Sequence, residues 1–304
     1  MRVAVTGAGG RLGRAVLAAL AEAPFTGISG PIAWRRPAYD LDDPSAVAGL
    51  IARDRPEVIV HAAAWTDVDG CARDPELAQR RNAEAVEALA GAAVAAGVDL
   101  ILVSTNEVFD GRRTDGLGYR PSDAPNPINA YGASKLAGER AASAAFAAGG
   151  RPQGLAIVRT AWLYGPPGND FPEKIARAAE RARAAGEALR VVGDETGSPT
   201  STSDLADGIV ELIGAGELLG GIWHVVNGGA ATRAEWARAV LAGVGIEVPI
   251  EEVPAATWVR ASTPPAWAVL EPTPLPSGEP LRPWPAALAD QLPALRRRLV
   301  SIPA

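Results

Sequence analysis

Tyr131 and Lys135 stand four residues apart in Asn129-Ala-Tyr-Gly-Ala-Ser-Lys-Leu-Ala-Gly-Glu139. On a helix that spacing puts a phenol and an ammonium on one face, one turn apart. A neighbouring cation favours phenolate, so the pair predicts a tyrosine that exchanges a proton with a carbonyl or an alcohol near neutral pH. Composition sets the lysine apart. Of 29 basic residues only Lys135 and Lys174 are lysines. A compact ammonium can contact a ribose and a tyrosine together, where a planar guanidinium fits poorly. Thr105, in Val103-Ser-Thr-Asn-Glu-Val-Phe-Asp-Gly111, comes off an apolar run ahead of the tyrosine. A hydroxyl there can hold a substrate carbonyl beside the phenol.

A second chemical signal opens the chain. Thr6-Gly-Ala-Gly-Gly-Arg-Leu-Gly13 follows one apolar run and starts a helical one. Gly7 permits a tight turn, Gly10 lets the backbone approach a pyrophosphate, and Gly13 lets helix and strand pack closely, with Arg11 and Leu12 between them. This is the pattern of a dinucleotide site. After the second strand, where an acid would bind a ribose 2′-hydroxyl, the chain reads Ala33-Trp34-Arg35-Arg36. Arg35 there would accept a 2′-phosphate, so NADP(H) is favoured, with NAD(H) open and a solvated loop arginine the plain alternative. Asp40 and Leu41, in Asp40-Leu-Asp-Asp43, sit where an adenine could be gripped or where the next helix could start. Ala62, Ala63 and Ala64 end another strand with side chains small enough for a flat cofactor to lie against the sheet.

These residues need a frame. Strands are expected at Val3–Thr6, Pro31–Trp34, Glu57–Ala62, Asp99–Ser104 and Leu155–Arg159, and helices at Leu12–Ala23, Pro44–Arg53, Pro75–Ala96 and Ala130–Ala148. Alternation of this kind is the mark of βαβ units, hence an α/β fold with a Rossmann-like, doubly wound parallel sheet. Later come a helix at Phe171–Gly186, a strand at Leu189–Val192, a helix at Ser203–Ile213 and a strand at Ile222–Val226. Thr232–Val244 reads as a helix with Thr232 as N-cap and Glu235 completing a capping box. The proline-dense stretch 254–285 predicts an extended, wrapping segment, and 285–299 a terminal helix interrupted at Pro293. Residues 1–165 are assigned to an NAD(P)-binding domain, with some later segments returning to it. Residues 166–304 are assigned mainly to a smaller α/β substrate domain with a proline-rich tail.

The bulk composition narrows the function classes. Of 304 residues 48% are hydrophobic and 21% charged, as in an ordinary globular protein, and the net charge of −6 gives no nucleic-acid footprint. Arg296-Arg297-Arg298 reads as the solvated end of a helix. One cysteine, Cys71, and two histidines, His61 and His224, make a disulfide framework or a metal site unexpected. Cys71 is assigned to a helix start, and the histidines to strand packing. The chain opens on a strand, not a signal peptide, and lacks an apolar run long enough to span a membrane, so a cytoplasmic protein is expected.

Thr105, Tyr131 and Lys135 together resemble the Ser/Thr-Tyr-Lys site of extended short-chain dehydrogenases. The chain is most similar to the dTDP-4-dehydrorhamnose reductase family. The resemblance rests on Ala62-Ala-Ala-Trp-Thr-Asp-Val-Asp69, Asn82-Ala-Glu-Ala-Val86, Phe109-Asp-Gly111, Pro125-Asn-Pro-Ile-Asn-Ala-Tyr131 running on to Glu139, Arg159-Thr-Ala-Trp-Leu-Tyr-Gly165 and Gly197-Ser-Pro-Thr200. It implies reduction of the 4-keto group of a dTDP-linked 6-deoxyhexulose with NAD(P)H, in dTDP-rhamnose biosynthesis. Tyr131 would protonate the forming alkoxide, Thr105 would orient the carbonyl, and Lys135 would bind the nicotinamide ribose and lower the tyrosine pKa. Thr66 and Val68 match the sugar pocket and Trp162 its aromatic wall, with a packing role equally open for each. Gly197-Ser-Pro-Thr200 is expected to shape the substrate domain.

Two positions depart from the family pattern. Asn106-Glu107 replaces its Asp-Tyr pair and resembles the Asp-Glu of nucleotide-sugar 4,6-dehydratases, with the acid missing; both residues are counted as substrate-binding. Thr263 before Pro264 replaces an arginine. An epimerase or dehydratase on the same fold is one alternative. A non-catalytic NADP-binding regulatory subunit, like the beta subunit of methionine adenosyltransferase, is another. The sequence leaves a homodimer open.

Overall fold

The computed structural model describes every residue except 29, 216–219 and 301–304. The chain begins β1 (Val3–Thr6), α1 (Arg11–Glu22), β2 (Ile32–Trp34), α2 (Val47–Asp54) and β3 (Val58–His61). It continues through α3 (Val68–Arg73), α4 (Pro75–Gln79), α5 (Ala85–Ala96), β4 (Asp99–Thr105), α6 (Ala130–Ala148) and β5 (Leu155–Thr160). The second half holds β6 (Leu163–Tyr164), α7 (Phe171–Ala185), β7 (Leu189–Val192), β8 (Thr196–Gly197), β9 (Thr200–Ser201) and α8 (Thr202–Gly214). It ends with β10 (Gly221–His224), β11 (Ala231–Thr232), α9 (Arg233–Val244), β12 (Ile250–Val253), β13 (Trp267–Ala268) and α10 (Trp284–Val300).

Six strands form one sheet in the order β10-β5-β4-β3-β1-β2, every neighbouring pair parallel. Continuous apolar strands such as Leu100-Ile-Leu102 are buried on both faces, as a parallel sheet covered by helices requires. One face packs against α2, α5 and α6 through Leu50, Leu89 and Phe146. The other packs against α1 and α8 through Val16, Leu20, Ile209 and Leu212. The α/β expectation holds. The strand order reverses between β1 and β3, so their carboxyl ends open a crevice where such sheets bind ligands.

A third core, with Trp236, Val240, Ile175 and Leu288, joins α7, α9 and α10 beside the parallel pair β7 and β12. Thr232 caps α9 as expected, and the capping box with Glu235 is complete. The proline-rich stretch wraps back over the sheet half. Arg282 grips Asp204 of α8 with two hydrogen bonds at 2.8 and 2.9 Å, and the Thr273 N–H donates to the His224 carbonyl.

Several boundaries differ from expectation. The single helix expected over 75–96 contains a π-helical stretch at Arg80–Glu84, and the helix expected from Pro44 starts as a 3₁₀ turn. The strand expected to reach Val226 ends at His224. Pro293 does not interrupt α10. Tertiary packing carries the helix across it, because Leu288 and Leu295 on either side are both buried in the third core.

Candidate active site

The glycine loop is shaped by crowding. Gly7 has φ +63°, and a Cβ there would lie 2.8 Å from the Ala63 nitrogen; one on Gly13 would lie 2.2 Å from the Gly7 carbonyl oxygen. Only glycine allows β1, α1 and the end of β3 to meet so closely. Gly10 caps α1 without a side-chain bond, so the first N–H groups of the helix are left for an anion. The residues therefore fit a dinucleotide pyrophosphate.

A cavity of about 450 Å³ runs from this loop to Trp162. Gly7, Gly10, Arg11, Leu12, Gly13, Ala62 and Ala64 line its first part, and Thr66, Val68, Thr105, Asn106, Glu107, Tyr131, Lys135 and Trp162 line the rest. The structure thus gathers most of the residues singled out from the sequence. Arg11 also turns its guanidinium away from the loop, donating to the carbonyls of Gly165 and Gly168 and pairing with Asp170 at 3.1 Å. Ala63 supports the loop from behind, its N–H donating to the Thr6 hydroxyl at 3.2 Å.

The adenine-side assignments fare differently. Leu41 is buried in the first core with Trp34 and Tyr39, so its side chain is packing and not a ligand grip. Asp40 pairs with Arg36 at 3.4 Å and accepts from the Asp42 N–H. Neither residue lines the cavity, because the turn after β2 folds Leu41 inward. Arg35 is exposed, and its guanidinium has no hydrogen bond or ion pair among the described residues. It remains available to a phosphate.

The reacting groups sit on two elements. Asn129 caps α6 by accepting from the Gly132 N–H at 2.8 Å, which fixes the turn carrying Tyr131. A Cβ on Gly132 would lie 2.0 Å from the Glu107 carbonyl oxygen, so this glycine seats α6 against the end of β4. Lys135 is buried, and its Nζ donates to the Val103 carbonyl at 2.8 Å. An ammonium has three donors, so two are left without an acceptor among the described residues, as a ribose diol would need. Burial lowers the Lys135 pKa to about 8. Thr105 donates to Asn106 Oδ1 at 3.2 Å and accepts from the Glu107 N–H. The Asn106 amide donates to the Ala268 carbonyl at 3.1 Å.

One expectation is corrected here. The tyrosine was expected to be shifted towards phenolate by the lysine, yet its pKa is raised, first by burial and then by the Glu107 carboxylate, with the Thr105 hydroxyl opposing. Desolvation of the anion outweighs any attraction to the ammonium. Tyr131 therefore keeps its proton at neutral pH. Glu107 is raised by burial too, while Asn129 Nδ2 donates to it at 2.7 Å and partly offsets the shift.

Trp162 packs and also faces the cavity. It lines the cavity, and it also stacks on Trp236 with centroids 5.7 Å apart. Gly197 lies under its ring, where a Cβ would come within 2.4 Å. Its φ of +44° is unusual for a bulky residue and places the ring between the two halves of the chain.

Two features escape local sequence patterns. Asn82, in the π-helical stretch, bonds to the Trp65 N–H and carbonyl and to Ser134, bracing the strip that carries Thr66. Its motif was visible, but its partners were not. Arg233 and Arg260 share the buried Glu195 near Trp162, and nothing local in the sequence joins positions so far apart. Of the residues given no chemistry, Cys71 and both histidines are buried. Burial raises the Cys71 thiol to about 11, and lowers His61 to about 3 and His224 to about 4, so all three stay neutral at neutral pH. No helix of the described residues is long and apolar enough to cross a membrane, and no cluster of three or more His, Cys, Asp or Glu among them could hold a metal ion.

Comparison with known proteins agrees with this geometry. Residues 1–297 match the family model described as RmlD substrate binding domain. A dTDP-4-dehydrorhamnose reductase of Streptomyces griseus is 37% identical over 298 residues, covering 96% of this chain and 93% of that protein. The crystal structure of a dTDP-4-dehydrorhamnose reductase from Clostridium acetobutylicum superposes with a TM-score of 0.86 at 30% identity, covering 97% of this chain and all of that one. The same enzyme from Bacillus anthracis, in complex with NADP, gives a TM-score of 0.85 at 31% identity over 96% of this chain and 99% of its own.

Proposed function

The chain belongs to the RmlD substrate binding domain family of dTDP-4-dehydrorhamnose reductases, and on that premise we propose how its residues divide the work. The protein is an NADPH-dependent reductase that converts dTDP-4-dehydrorhamnose to dTDP-L-rhamnose. Gly7, Gly10 and Gly13 hold the cofactor pyrophosphate, and the small Ala62 and Ala64 receive the cofactor against the sheet. Arg35 takes the 2′-phosphate. NADPH, when bound, supplies the hydride that reduces the ketone. Lys135 binds the nicotinamide ribose with the two donors that Val103 leaves unused. Thr105 positions the substrate oxygen by turning its hydroxyl from Asn106, and Tyr131 gives its proton to the alkoxide.

The observation that carries this reading is the convergence of Thr105, Tyr131 and Lys135 on one cavity with the glycine loop at its other end. A reductase needs a phenol that holds its proton, and the un-ionised Tyr131 meets that need at neutral pH. Asn106 offers an amide held by Ala268, not the acid that expulsion of a hydroxyl would need. Thr66, Val68, Glu107 and Trp162 line the sugar side.

We assign residues 1–165, together with the returning α8 and β10, to the cofactor half and the remainder to the substrate half. The same reading puts the enzyme in the cytoplasm, and sedimentation at assay concentration would decide the homodimer that the sequence leaves open. NADPH consumption against a panel of nucleotide-linked 4-keto sugars tests the activity. Stoichiometric loss of NADPH with the dTDP-linked 4-keto-6-deoxy sugar is expected. Turnover of nucleotide sugars without added NADPH would instead reveal an epimerase or dehydratase.

A further inference from the structure

Two guanidinium groups that the proton transfer does not use gather on Glu195, one of them against the cavity-lining Trp162. Arg233, the first residue of α9, lies with its Cζ 3.5 Å from the centre of the Trp162 ring. Its Nε donates to one oxygen of the buried Glu195 carboxylate at 3.4 Å, and Arg260 Nη1 donates to the other at 3.3 Å. Both bonds are long. Neither side chain makes another hydrogen bond among the described residues, so most of their donors are unmet. Glu195 alone does not neutralise two guanidinium ions, and the cavity-lining Glu107 carboxylate also faces both of them.

The segment carrying Arg260 is fixed in place from both sides of the site. Ser262 donates through its N–H and its hydroxyl to Asp69 of α3, the helix that begins at the cavity-lining Val68. The Thr263 carbonyl accepts from Asn129, the cap of the helix carrying Tyr131. A nucleotide sugar reduced at C4 carries its diphosphate on C1, across the pyranose ring from the ketone. With the ketone at Tyr131, the phosphates must lie on the side of the cavity away from the glycine loop. Trp162 lines that side, with Arg233 against its ring and Arg260 joined to Arg233 through Glu195.

We propose that Arg233 and Arg260 bind the diphosphate of the nucleotide sugar, with Glu195 holding the two guanidinium groups ready until the phosphates draw them away. Planar forks of this kind suit phosphate oxygens, and the long bonds to Glu195 are the ones a stronger acceptor replaces. The inference rests on the nucleotide-sugar reading above.

Calorimetric titration of the full chain with dTDP and, separately, with NADPH tests it in the wild type and in Arg260→Ala, Arg260→Lys and Arg233→Met. Each neutral variant should lose dTDP affinity by roughly tenfold or more, with NADPH affinity unchanged and Arg260→Lys recovering part of the loss. Unchanged NADPH binding shows that a variant is folded. Should Arg233→Met fail to fold, the partly exposed Arg260 still decides the matter. Unaltered dTDP affinity in Arg260→Ala would overturn the clamp, as would loss of NADPH affinity in a variant that still binds dTDP normally. A wild type that binds NADPH but not dTDP would remove the nucleotide-sugar reading and the clamp with it.

Discussion

Lys135 shows how one buried charge sets a pH dependence. Its pKa of about 8 means that the ammonium is intact below that pH and lost above it. Cofactor affinity should therefore fall as pH rises through about 8, and fluorescence titrations of NADPH across that value should show the fall in the wild type but a flat profile in Lys135→Met. The stability term has its own sign. The folded value lies below the ordinary 10.5, so the buried charge costs stability at neutral pH, and that cost is relieved as pH rises from about 8 towards 10.5. Arg35 makes a second prediction at this scale. Arg35→Ala should weaken NADPH by about 1.5–3 kcal/mol and leave NADH nearly untouched; equal losses would remove its role at the 2′-phosphate. The convergence of Tyr131, Lys135 and Thr105 on one cavity was legible because they sit in long local motifs. The protonation state of Tyr131 was not, since burial and Glu107 reach it only through the fold.

Helix α6 does more than carry the tyrosine. Gly132 lets it touch the Glu107 backbone, so Gly132→Ala should push Tyr131 out of register with Thr105. A displacement of that order costs about a hundredfold in turnover, and steady-state kinetics with an unchanged NADPH affinity would identify it. Lower on the same helix, Glu139 receives two hydrogen bonds from Arg159 of β5, at 3.0 and 2.7 Å, with both side chains buried. Glu139→Ala would strand the guanidinium and cost about 3–5 kcal/mol in denaturant unfolding, whereas a loss near zero would mean that water enters to replace the carboxylate. Strands and long helices were readable from apolar spacing. The π-helical stretch at Arg80–Glu84 was not, because it depends on Asn82 reaching Trp65 and Ser134 on other elements. The continuity of α10 across Pro293 has the same origin, with packing overriding local preference.

At the scale of the molecule, the central sheet is not continuous in sequence. Strand β10 completes the sheet beside β5, and α8 covers α1 through Ile209 and Leu212. A fragment ending at residue 165 would expose that apolar face and should aggregate or stay unfolded; a soluble 1–165 fragment that binds NADPH would contradict the assignment. The glycine loop and the first five strands announced themselves early in the chain. The return of β10, the shared carboxylate of Glu195 and the anchoring of Ser262 to Asp69 join residues far apart, and no local pattern records such pairings.

The most direct test of the account is the turnover of Tyr131→Phe with NADPH and the dTDP-linked 4-keto-6-deoxy sugar, measured beside its NADPH affinity. Loss of the phenolic proton should lower kcat by about 10²–10⁴-fold while the cofactor binds as before. Turnover equal to that of the wild type would show that the proton comes from another group, and that Tyr131 is not the acid of this site.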